Sequence, residues 1–138
     1  MPSPDQEKDA KRLRRRVECE RLTSVMNDTK WRRLLELLQD FYPCSLRRKD
    51  VGEEAPPLDH SDTDIYHALG GWEHIEWVDL DPVSSVFRGA LVEPEIVDRS
   101  GDLRAALKAA SIPFSIENGK IRVWGYLAPG VSPNWVAA

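Results

Sequence analysis

The residues with the most chemical potential are three histidines and a dense set of carboxylates lying close together. His60, Asp64 and His67 stand at i, i+4 and i+7. On a helix that spacing puts all three on one face, where imidazole and carboxylate suit a divalent cation. Asp62 and His74 lie near enough in sequence to add a ligand. A metal held there would activate water for hydrolysis, with Glu76 as general base. Glu73, His74 and Glu76 form a second combination, suited to acid–base work. On a strand, neighbours point to opposite sides, so only His74 and Glu76 of that trio share a face. The competing reading is a turn capped by Asp59 or Ser61, leading into a short helix through Ile65, Tyr66 and Leu69. No second ligand pair completes a metal site, so the capped turn is the expectation, with no cofactor.

The carboxylates also matter as a charge. Residues 51–81 hold nine acidic side chains and no Lys or Arg. Residues 1–50 carry 13 Lys/Arg against 9 Asp/Glu (+4), and residues 51–138 carry 6 against 14 (−8). Such a block repels nucleic acid and draws in a basic partner. The residues expected to meet that partner are Asp62, Asp64, Trp72, Glu73, Glu76, Asp79, Asp81 and Trp124. The carboxylates steer it, and one of the two tryptophans serves as a desolvated anchor. Lys in place of Glu76 and Asp79 is then expected to abolish the complex and leave the fold intact.

These residues need elements to hold them. The firmest is a hairpin over Ile112–Tyr126, where Asn118-Gly119 sits between two alternating runs and calls for a type I′ turn. A two-residue turn pairs Glu117 with Lys120, Ile116 with Ile121, Ser115 with Arg122 and Phe114 with Val123. Phe114, Ile116, Ile121 and Val123 then form a buried face. Ser115, Glu117, Lys120 and Arg122 form a polar one, which Trp124 and Tyr126 join, to be covered by the helix carrying Trp31. That helix follows Asn27 or Asp28 as cap. Trp31, Leu34, Leu35, Leu38 and Phe41 make its apolar stripe, and Pro43 ends it. Cys44–Leu69 reads as a long irregular connection. Gly70-Gly71 breaks the chain before a strand over Trp72–Asp81. Phe87–Val97 contains a second, weaker strand, kept at a sheet edge by Pro94. Ser100 is placed to cap a helix over Gly101–Ala110, with Leu103, Ala106, Leu107 and Ala110 inward. Ala128–Ala138 reads as a draped tail with Trp135 tucked down.

Together these elements predict an α+β domain over residues 26–138. Its small, mostly antiparallel sheet carries the C-terminal hairpin and is covered by two amphipathic helices. Residues 1–25, with K-R-L-R-R-R at Lys11–Arg16, read as a charged, partly helical extension. At 138 residues and 41% hydrophobic content, the chain can bury a core without staples. Two cysteines outside any C-x-x-C pair point to a reducing compartment. No stretch approaches a membrane span or a signal peptide. A cytoplasmic protein is expected, with neither nucleic acid nor membrane as partner.

N-D-T-K-W (Asn27–Trp31), I-E-W-V-D-L (Ile75–Leu80), I-P-F-S (Ile112–Ser115) and R-V-W-G-Y (Arg122–Tyr126) occur in that order. Together they resemble a family of small bacterial proteins known only as domain of unknown function 6678, over roughly Met26 to Pro129. The resemblance implies a compact protein similar to immunity proteins, which bind and neutralise a toxin. The leading expectation is therefore an immunity or antitoxin-like protein that is no enzyme and meets a basic toxin domain through its acidic face. A metal-dependent hydrolase and a regulatory or adaptor module are the alternatives.

Overall fold

A computed structural model describes residues 3–136. A four-stranded antiparallel sheet forms its centre, in the order β2 (Ser45–Asp50), β3 (Ile75–Asp81), β7 (Lys120–Trp124), β6 (Ser115–Glu117). Strands β6 and β7 are the expected hairpin, with Ser115 opposite Arg122, Ile116 opposite Ile121 and Glu117 opposite Lys120. Asn118 (φ 52°) and Gly119 (φ 75°) supply the two left-handed residues that a type I′ turn requires.

Cross-strand register decides which side chains share a face. Leu46, Val78, Leu80, Ile121 and Val123 share one side of the sheet. Helices α2 (Asp28–Gln39) and α4 (Ser100–Ala109) contribute Trp31, Leu34, Leu38, Leu103 and Leu107 to the same apolar cluster. Asn27 caps α2 as expected, its side chain accepting from the Lys30 N–H at 2.8 Å. Ser100, by contrast, is the first residue of α4 and not its cap. Its N–H donates to the Asp98 carboxylate at 2.9 Å instead. The α+β class therefore holds, with two amphipathic helices on one face of a small antiparallel sheet.

Several elements differ from expectation. The stretch read as irregular connection contains β2, which pairs along β3 from Ser45–Asp81 to Asp50–Ile75. Only one of its six side chains, Leu46, joins the apolar core, so its sequence carries no apolar alternation to read. Beyond it, the chain is irregular up to α3 (Ile65–Ala68), capped by Asp64 rather than by Asp59 or Ser61. Trp72–His74 forms a 3-10 turn, and the strand starts at Ile75. The strand expected within Phe87–Val97 is confined to its end and lies outside the central sheet. Two short strands, β4 (Val83–Val86) and β5 (Glu95–Asp98), pair with each other in a separate ribbon, and residues 87–94 connect them. Helix α1 (Pro4–Cys19) buries no residue and starts with a Ser3–Gln6 capping box. After it, β1 (Thr23–Ser24) pairs with β8 (Tyr126–Leu127), tying the end of the charged leader to the end of the hairpin.

Both margins of the central sheet are closed by single-residue bridges. Leu46 and Asp62 exchange backbone hydrogen bonds beside β2. Beside β6, Ser115 bridges to Trp135, and Ile116 N–H donates to the Asn134 carbonyl at 3.1 Å. The tail is thus a partial fifth strand. The Trp135 side chain is 44% exposed, not tucked down. Gly125 is forced by close approach, since a Cβ there would run into the Ile75 carbonyl oxygen.

Candidate functional site

The expected acidic face divides into two unlike parts. Asp79, Asp81 and Trp124 belong to a polar layer on the side of the sheet away from the helices, with Asp79 and Trp124 buried and Asp81 partly exposed, while Glu76 sits at the β2–β3 bulge. Asp79, 5% exposed, accepts from Arg47 Nη1 at 3.0 Å and from Arg122 Nε and Nη2 at 2.6 and 3.1 Å. Both guanidiniums lie over the Trp77 ring, Arg122 at 3.6 Å and Arg47 at 4.9 Å from its centroid. Trp124 is buried beside Arg122, and its indole N–H donates to the fully buried Ser115 hydroxyl at 2.8 Å. It faces away from α2 and is closed to a partner. The polar hairpin face is thus buried at Ser115 and Trp124, nearly buried at Arg122, and partly exposed at Glu117, Lys120 and Tyr126. Arg47 also donates to the Pro56 and Pro57 carbonyls, pinning the loop after β2. Glu76 pairs with Lys49 at 2.8 Å, and Asp81 with Lys120 at 2.6 Å.

Such pairing cancels the field these carboxylates were expected to project. Asp79 in particular holds two buried cations, so Lys at that position is expected to destabilise the fold, contrary to the expectation above. Of the histidine cluster, His60, Asp62 and His67 line one pocket together with Arg48. Asp64 serves as the α3 cap, accepting from His67 N–H at 3.1 Å, while the His67 ring pairs with Asp62 at 2.7 Å. His60 lies outside the helix, so it shares no helical face with Asp64 and His67. Among the described residues no group of three or more His, Cys, Asp or Glu is arranged to hold a metal ion. His74 sits 3.8 Å from Glu73, while Glu76 is occupied by Lys49. The acid–base trio is not assembled.

The second part of the acidic face lies where α2, α3 and the 3-10 turn meet, and it forms a surface groove. About 460 Å³ in volume, it is lined by Asp28, Leu35, Tyr66, Leu69, the Gly70-Gly71 turn, Trp72 and Glu73. Tyr66 also lines an adjoining groove with Gln39, Tyr42, Thr63, Asp64 and Ile65. Tyr42 and Tyr66 are 68% and 67% exposed. No Lys or Arg lines either groove.

Local structure fixes each wall. The Trp72 indole N–H donates to Asp28 at the start of α2, at 3.0 Å. The Tyr126 hydroxyl donates to the Glu73 carbonyl at 2.8 Å, leaving the Glu73 carboxylate outward. Arg48 donates to the Ala68 and Gly70 carbonyls at 3.0 and 2.6 Å while paired with Asp50, which fastens the end of α3 to β2. Ile65 and Leu69 are buried beneath α3, so Tyr66 between them points out. Asp62 and His67 brace the preceding turn. The Asp62 hydrogen bond raises the His67 pKa. Desolvation pushes Asp62 upward, but its bonds with His67 and the Asp64 N–H outweigh it and lower its pKa.

Of the residues singled out from sequence, Asp64, Trp72 and Glu73 line these grooves and Asp62 supports them. Asp28, Leu35, Tyr42 and Tyr66 were missed. Tyr42 and Tyr66 lie 24 positions apart, and the available signal was two tyrosines breaking otherwise inward apolar patterns at Phe41–Pro43 and Ile65–Leu69.

By architecture this is a four-stranded antiparallel sheet with helices on one face and an acid-rimmed aromatic groove at its flank. Residues 13–130 match the model of a family of unknown function (DUF6678), and the chain belongs to that family. The match starts inside α1, further towards the N-terminus than the motifs at Asn27–Trp31 suggested. No curated protein and no solved structure matches the chain. Among the described residues no helix is long and apolar enough to cross a membrane.

Proposed function

We propose that this protein acts by binding another protein, as a cytosolic immunity or antitoxin-like factor, and that its partner is a basic toxin domain. One observation carries the reading. Two exposed tyrosines and a half-buried tryptophan stand in joined grooves with Asp28, Asp64 and Glu73, and no cation lines them. Tyr and Trp are the side chains that most often dominate binding energy, because they bury much area for little lost freedom. A Lys or Arg of the partner entering between Tyr66 and Trp72 would meet aromatic faces and carboxylates together. Blocking of the toxin follows if those same basic residues form its own working surface. The internally paired Glu76, Asp79 and Asp81 then serve folding, and the partner reads Asp28, Asp64 and Glu73.

The test is calorimetric titration with the toxin-like product of the adjacent gene, together with survival of cells that express it. Tyr66→Ala and Glu73→Arg are each expected to weaken binding at least tenfold, about 1.4 kcal/mol, with unchanged circular dichroism and loss of protection. Full affinity in both variants would sink the reading.

A further inference from the structure

Helix α1 and the β4–β5 ribbon contribute no residue to the apolar core. The ribbon strands pair only with each other, and an isolated two-stranded hairpin is marginal in water unless something covers it. Leu91 is fully exposed on it, with Phe87 at 77% and Ile96 at 66%. Several large apolar side chains exposed on one short ribbon suit an interaction site. Helix α1, with 16 residues and none buried, is near the length at which a helix alone is marginal. Residues 11–16 carry five basic side chains and no acidic one, whereas the ribbon span 83–98 carries Glu93, Glu95 and Asp98 against Arg88. On α1, Arg12, Arg15 and Arg16 surround a shallow groove of about 480 Å³ with Cys19 and Glu20, the last paired with Arg16.

We propose that the β4–β5 ribbon of one copy docks on α1 of a second copy, and reciprocally, to form a two-fold dimer. Arginine stems provide an apolar floor for Leu91 and Phe87, while their guanidiniums face Glu93 and Glu95. Ribbon on ribbon would oppose carboxylates, and helix on helix would oppose arginines, so charge selects the exchanged pairing. Two-fold symmetry makes each contact twice, which compensates for its small size.

Sedimentation equilibrium of the full chain tests this. The native protein is expected to be a dimer that salt weakens. Arg12→Glu with Arg15→Glu, and separately Glu93→Lys with Glu95→Lys, should each give monomers. All four positions are exposed, so melting should be unchanged in the first and fall only slightly in the second, which loses the exposed Arg88–Glu95 pair. An equimolar mixture of the two variants should reassociate at least tenfold more tightly than either alone, because both contacts are again oppositely charged. Tyr66→Ala should leave the dimer intact, which separates this proposal from the partner groove. A monomeric native protein, a dimer indifferent to both reversals, or a mixture that stays monomeric would overturn it.

Discussion

Asp79→Asn is the most informative substitution, because the carboxylate holds two buried cations at once. In the native protein the side chains of Arg47, Asp79 and Arg122 are 10%, 6% and 11% exposed. Three charge-assisted hydrogen bonds converge on the carboxylate. Asparagine keeps the shape but removes the charge and turns one acceptor into a donor aimed at a guanidinium. Arg47 retains the Pro56 and Pro57 carbonyls, whereas Arg122 keeps only its aromatic contacts with Trp77 and Trp124. Removing one partner of a buried pair costs about 3–5 kcal/mol. That is a large share of the roughly 5–15 kcal/mol that holds a domain folded. Urea unfolding followed by tryptophan fluorescence reads it directly, since Trp77 lies under both guanidiniums. The midpoint should fall steeply at unchanged m-value. Adding Arg122→Met should recover part of the loss by removing the orphaned charge. A loss below about 1 kcal/mol, or no recovery in the double variant, would refute the view that this layer is a coupled ion cluster.

Other outcomes follow from single features. Gly125→Ala places a methyl group against the Ile75 carbonyl, so destabilisation at or above the upper end of about 1–3 kcal/mol is expected by calorimetry. The His67 pKa lies above the ordinary 6.5 because of Asp62. Its stabilising contribution is therefore complete below 6.5 and lost as pH rises through the folded value. An NMR titration should place His67 above 6.5, and Asp62→Asn should bring it down. Burial pushes the Cys44 thiol up to about 11, so a thiol reagent near neutral pH should modify exposed Cys19 alone until the protein unfolds.

The hairpin was legible because turn chemistry and alternation point the same way, Asn118-Gly119 fixing a register that the side chains also demand. Helix α2 was legible for a similar reason, with a cap and an apolar stripe in agreement. Strand β2 was not, because Ser45–Asp50 reaches burial through pairing. Arg47 and Arg48 look solvated in sequence, yet one is buried against Asp79 and the other fastens α3. The same blindness explains the acidic face. A count of carboxylates cannot distinguish Asp79, neutralised by strands 32 and 43 residues away in sequence, from Glu73, which stays outward. The groove escaped notice because its walls come from three elements whose meeting is a product of packing.

The single-residue bridges at the two margins of the sheet have a consequence for behaviour in a crowded solution. An open strand edge is a template on which other chains pair and aggregate. Here Asp62 occupies part of one edge and Asn134–Val136 part of the other. The short segment carrying Trp135 thus works as a guard rail. A chain cut before Asn134 would lose that protection together with Val136, which packs against the core, and it should come out of solution as cross-β aggregate.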